Sequence, residues 1–322
     1  MLSRVADSLY WMSRYLERAE HAARLVNVHL NLMLDTGGQN AERRWSRVLA
    51  SLGSNKSFAP FDIHAVTHYL AFDASNRSSI VSSIMNAREN ARQVREQISS
   101  EMWEQLNRLF HETRRFTREE TGEEWDQQPI EFLKSVKEGA YLFSGLCETT
   151  MNHGQGWYFI QLGRYIERAM CLASLLDVHF LELLGAGGEG PEPGDHLEWI
   201  GLLRSCTAFE SYCKVYTADL SPDRIAEFLI LNSEFPHSIR FSIHRMQEAL
   251  QRIHEQSIAS RPDRLERLAG RLKSSLDYSQ IDEILAGGLH PYLDSVQRQC
   301  AQIHNTMHQV YITYPIEAAL EV

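Results

Sequence analysis

Residues 14–30 and 164–180 carry nearly the same string twice. At a constant offset of 150, nine of these 17 positions are identical, where unrelated segments would share about one. The identities are Arg14/Arg164, Tyr15/Tyr165, Glu17/Glu167, Arg18/Arg168, Ala19/Ala169, Ala23/Ala173, Leu25/Leu175, Val28/Val178 and His29/His179. The match continues with drifting offsets. At 154 it aligns Trp45 with Trp199, Leu49 with Leu203 and Ser51 with Ser205. At 159 it aligns Ser79-Ile80 with Ser238-Ile239 and Ser83-Ile84 with Ser242-Ile243. The order of segments is kept, so two tandem, diverged copies of one module are expected. Their bounds would be 1–152 and 153–322, with a Gly/Pro-rich linker at about 185–195, packed as one unit.

The repeated segments are helical by pattern. Leu2, Val5, Leu9, Met12, Leu16, Ala19, Ala23, Val26, Leu30 and Met33 recur in steps of three and four. That spacing places them on one stripe of a helix. Phe159, Leu162, Ile166, Ala169, Ala173, Leu176, Phe180 and Leu183 repeat the stripe. Similar reasoning predicts helices at about 2–35, 40–53, 60–71, 77–118, 128–152, 156–184, 196–218 and 222–232. Further helices are expected from near Pro236 to about 259, and at about 262–276, 278–287 and 291–313. No segment reads as a strand. The expected fold class is all-α, a multi-helix bundle.

Composition narrows the function. The formal net charge is −10, and like charges are not blocked together. Nucleic acid and anionic membranes are therefore not expected as partners. Five cysteines without a CxxC pair suggest free thiols in a reducing compartment. No stretch approaches 18 apolar residues and the opening segment lacks a signal-peptide core, so a cytoplasmic protein is expected.

The repeated string holds the main chemical candidates. With Leu16 and Ala19 on the apolar stripe, Arg14, Glu17 and Arg18 project off it as an i, i+3, i+4 cluster. Arg164, Glu167 and Arg168 do the same. Glu20 and Arg24 differ between the copies, being replaced by Met170 and Ser174, and read as solvated charges free to drift. Identity at the other three positions asks for a cause. One reading is an ion pair inside the bundle that fixes register. The other is a site where arginines grip a carboxylate or phosphate, with the glutamates orienting them or acting as bases. Tyr15 and Tyr165 read as packing residues with a polar tip, and His29 and His179 as satisfied core residues. Cys300, His304 and His308 share a face of the last helix at i, i+4, i+8. An isolated set of this kind is more often structural than metal-binding, so no metal or cofactor is expected. No catalytic constellation stands out, and no catalytic residue is assigned.

The opening run MLSRVADSLYWMSRYLERAE closely resembles the start of the bacterial alpha-E domain family. Ser79-Ile80 through Ala87–Arg92, Ile98-Ser99, Glu101–Trp103 and Gly156-Trp157 through Ala169 resemble that family too. The likeness covers essentially the whole chain. The family's Glu-Arg motif falls on Glu17-Arg18 and again on Glu167-Arg168. Such proteins are usually encoded beside a circularly permuted ATP-grasp ligase and a transglutaminase-like protein. The resemblance therefore implies an accessory role in an amide-forming, peptide-making or peptide-modifying system, docking or presenting substrate. The alternative is an enzyme or small-molecule binder with an anion site at the paired motifs. A homodimer is a further assembly such a bundle could form.

Overall fold

The computed structural model describes residues 1–36, 40–119, 128–183, 195–217, 219–256 and 263–313. Among them every regular element is helical. In chain order they are α1 (Ser3–Thr36), α2 (Ala41–Ser51), α3 (Ile63–Ala71), α4 (Ile80–Gln93), α5 (Ser100–Glu119), α6 (Gln128–Thr150) and α7 (Gln155–Leu183). Then follow α8 (Asp195–Ser205), α9 (Phe209–Tyr216), α10 (Pro222–Leu231), α11 (Ile239–Glu255), α12 (Asp263–Tyr278), α13 (Ile281–Gly287) and α14 (Leu289–Met307). The tract 185–194 lies outside the described residues.

Two long helices organise the rest. α1 packs against α7, α4, α6 and α8, and α7 packs against α1, α11 and α14. The α1 stripe from Leu9 to Val26 lies in the core, and so does its counterpart from Phe159 to Phe180. The buried apolar residues form one continuous cluster from Ala6 to Met307. Neighbours surround α1 on several sides, so it has little solvent-facing surface for off-stripe charges.

At Gly163 α7 comes close against α1. A Cβ there would stand 2.3 Å from both Ser13 Oγ and the Tyr10 carbonyl oxygen, so only a hydrogen fits. Under the 150-residue offset, position 163 corresponds to 13. The ion pairs across this contact link residues 149–153 apart. Sixteen residues further along, His29 still acts electrostatically on His179. The two helices therefore run in the same direction, with equivalent positions facing.

Two expected helices are broken. The predicted 77–118 helix divides into α4 and α5 around a 3-10 turn, Arg95–Gln97. Val94 and Ile98 turn into the core, and Ser99 Oγ accepts the Met102 N–H at 3.1 Å to start the second piece. The predicted 196–218 helix stops at Ser205, because Thr207 takes a left-handed φ of 51°, and α9 starts afresh. The final helix begins at Leu289 and relaxes into a π turn, His308–Ile312.

Serines start α4 and α11 alike. Ser79 Oγ accepts the Ser82 N–H at 3.1 Å, and Ser238 Oγ accepts the Phe241 N–H at 3.0 Å. Each satisfies a first-turn donor that has no partner within its own helix.

Candidate functional site: an interlocked Glu-Arg core

The two repeated strings meet. Arg14 Nε donates to Glu167 Oε2 at 2.6 Å, and Arg18 Nε donates to Glu167 Oε1 at 2.6 Å. In return, Arg168 Nε donates to Glu17 Oε1 at 2.5 Å and its Nη2 to Glu17 Oε2 at 3.0 Å. Glu17 to Arg168 and Glu167 to Arg18 are the same contact made in both directions. That reciprocity is the pattern of a two-fold interface, here within one chain. Arg14 is 4%, Glu17 8% and Glu167 3% exposed.

Burial opposes charge here, and pairing restores it. Burial alone would raise the Glu167 carboxyl, but the Arg14 and Arg18 charges and their hydrogen bonds outweigh it and hold it below the usual range. Burial likewise disfavours the Arg14 cation, and Glu167 more than compensates. Both residues are ionised at neutral pH and neither is poised for proton transfer. Tyr15 and Tyr165 play matching parts, since the Arg18 guanidinium lies 5.5 Å from the Tyr15 ring centroid and that of Arg168 5.4 Å from Tyr165. These contacts add cation–π attraction on the more exposed side of each pair.

Around this centre lie charges that sequence reasoning misjudged. Glu20 and Arg24 are not solvated. Both are buried and paired with each other, and Arg24 Nη1 sits 3.3 Å from His237 Nδ1. The cause is the enclosure of α1, whose off-stripe faces meet α6 and the turn before α11 rather than water. Arg168 Nη1 also donates to the Pro236 carbonyl at 3.1 Å. The unused signal was the i, i+4 spacing of Glu20 and Arg24.

A second buried ionic cluster was missed altogether. Arg44 and Arg47 of α2 both pair with Glu198 of α8. At the 154-residue offset that aligns Trp45 with Trp199, Arg44 faces its own counterpart, Glu198. His29 and His179 lie beside this cluster. His29 Nδ1 is 2.9 Å from the Leu25 carbonyl oxygen, and its ring centroid is 6.3 Å from that of Trp45. The His179 centroid is 5.5 Å from that of Trp199. Burial pushes His29 down to about 4 and His179 well below its ordinary value. Both are neutral core residues.

Cys300, His304 and His308 come together at the start of α1 without forming a metal site. His304 Nδ1 is 2.8 Å from the Tyr10 hydroxyl and 3.3 Å from Arg14 Nη1. A guanidinium that close opposes a second cation. Burial pushes the Cys300 thiol up to about 12. Among the described residues no group of three or more His, Cys, Asp or Glu is placed to hold a metal ion. No described helix is long and apolar enough to cross a membrane.

An all-helical bundle, its two long helices locked by reciprocal Glu-Arg pairs, defines the class. The chain belongs to the alpha-E family, described as a predicted alpha-helical domain with a conserved ER motif, which matches residues 1–312. It is also similar to an uncharacterized protein of Mycobacterium bovis and two of Mycobacterium tuberculosis. Each is 24% identical over 173 residues, covering 53% of this chain and 18% of the relative. The chain thus matches less than a fifth of those relatives' length. No solved structure matches.

Proposed function

We propose that this protein is a helical partner of an amide-forming ATP-grasp ligase, docking to it or presenting its substrate. One observation carries the reading. The motif that characterises the family is turned inward, with Glu167 shared by Arg14 and Arg18 and Glu17 spanned by Arg168. Groups held this way fix the register of two helices, a structural task. The mycobacterial relatives support it further. There the matched segment is a minor part of a longer chain, so it acts covalently joined to other sequence.

The same proposal includes the duplication. Matching bounds support it, since α2 and α8 are offset by 154 at both ends, and the serine starts of α4 and α11 by 159. On this reading the chain is two diverged modules, 1–152 and 153–322, forming a pseudo-dimer. Its place of action is the cytoplasm, beside an ATP-consuming ligase, and the transglutaminase-like neighbour is a second candidate partner.

The test is co-purification of the protein with the neighbouring ligase, followed by mass measurement in solution. A stoichiometric complex at micromolar concentration is expected. Separate elution of the two proteins under those conditions rejects the docking role.

A further inference from the structure

The two motifs are not satisfied alike. Arg164 is the counterpart of Arg14, but its surroundings differ. Arg14 has Glu167 at 2.6 Å, the Tyr10 hydroxyl at 3.3 Å and the Trp11 ring centroid 4.7 Å away. In α7 the places of Tyr10 and Trp11 are taken by Ile160 and Gln161. Glu17, the counterpart of Glu167, already gives both oxygens to Arg168. Arg164 is left with Gln161 Oε1 at 3.4 Å and the half-exposed Glu148 at 3.8 Å, both through Nη1. Yet it is only 8% exposed. Among the described residues its Nε and Nη2 have no hydrogen-bond partner. Both atoms reach solvent-accessible space rather than being fully enclosed, so they are available to a ligand.

Arg164 lines a cavity of about 30 Å³ between α1, α6 and α7, together with Ser13, Glu17, Glu20, Tyr141, Ser144 and Arg168. Glu17 is matched by Arg168 and Glu20 by Arg24, so the least closely matched charge in the slot is that of Arg164, whose one carboxylate partner is the half-exposed Glu148 at 3.8 Å. At roughly 10–15 Å³ per water, the slot has room for about two waters or the head of a carboxylate. A tetrahedral phosphate dianion would be bulkier and would meet the Glu17 and Glu20 oxygens. A planar carboxylate suits a guanidinium edge with two parallel N–H donors. Tyr141, half exposed at the rim, leaves the slot open to solvent.

We propose that the Arg164 slot binds a carboxylate, inserted head-first past Tyr141 and Ser144 while the rest of its molecule remains outside. A free organic acid and the acidic residue of a peptide share this chemistry. The slot does not depend on ligase docking, and either proposal can fail alone.

The experiment titrates acetate, N-acetylglutamate and a short glutamate-containing peptide into arginine-¹⁵N-labelled protein. Sodium chloride holds the ionic strength constant, and arginine Nε–H resonances and Tm are followed. The expected result is a saturable shift of one buried arginine signal with a rise in Tm, both lost in Arg164→Gln. Ser144→Met, which fills the slot without touching an ion pair, should abolish the response while retaining the helical spectrum and cooperative unfolding. It keeps the test valid if Arg164→Gln does not fold. A response to all three probes assigns the slot to free acids. A response to the peptide alone assigns it to acidic peptides. No saturable response, an equal response in Ser144→Met, or the same shift from chloride alone overturns the proposal.

Discussion

Removing the carboxylate at position 167 strands two guanidinium groups at once. Glu167→Ala should therefore cost about 3–5 kcal/mol, as expected when one partner of a buried ion pair is deleted. Glu17→Ala should fall in the same range through Arg168. Urea denaturation at pH 7 measures both. Arg252→Ala breaks only an exposed pair with Glu255 and should change stability by less than about 1 kcal/mol. The asymmetry between the motifs gives a sharper contrast. Arg14→Met leaves the buried Glu167 with Arg18 alone and should be destabilising, whereas Arg164→Met removes an arginine whose nearest carboxylate is the half-exposed Glu148 at 3.8 Å and should cost much less. Equal losses in the two variants would show that Arg164 is as well paired as Arg14.

At the scale of elements, the α1–α7 contact leaves no room for a side chain at Gly163. Gly163→Ala should cost about 1–3 kcal/mol or more, because the added methyl meets backbone as well as side chain. Ser13→Gly in the same background should relieve only part of the loss, since the Tyr10 carbonyl remains 2.3 Å from the new Cβ. Thermal unfolding of the single and the double variant checks this. The stripes of α1 and α7 were legible in sequence because a helix buried along one line repeats every three to four residues. The interruptions were not, because Val94 and Ile98 continue the apolar pattern through the bend and Thr207 carries no mark of its left-handed backbone. The motif was legible as an off-stripe cluster, but its partner was not. Which charge meets Glu167 depends on the packing of a helix about 150 residues away. The Arg44–Glu198 contact was hidden for the same reason, although the offset of 154 already placed the two in register.

For the molecule as a whole, buried histidines set the response to acid. Burial, then the neighbouring Arg24, pushes His21 down to about 4. His29 falls to about 4, and His179 and His237 also fall. Near pH 6.5 and below, the unfolded chain takes up protons that the folded chain refuses, so stability falls as pH drops from about 6.5 towards 4. Between pH 7 and 5 the loss should be about 2 kcal/mol from each of His21 and His29. Glu167, whose carboxyl is also held below its ordinary value by Arg14 and Arg18, contributes a further loss only below about pH 4.5. Urea midpoints across this range measure both windows, and a flat profile from pH 7 to 5 would contradict the burial of these rings. The enclosure of α1 also bears on synthesis. Tyr10 waits for His304, 294 residues downstream. At about 5–20 residues per second, the ribosome delivers that partner roughly a quarter of a minute to a minute after α1 has emerged. Until α7 emerges, Arg14 and Arg18 lack Glu167 and the α1 stripe lacks one of its main neighbours. The polar end of the site, Tyr10 with His304, closes only when α14 has been made.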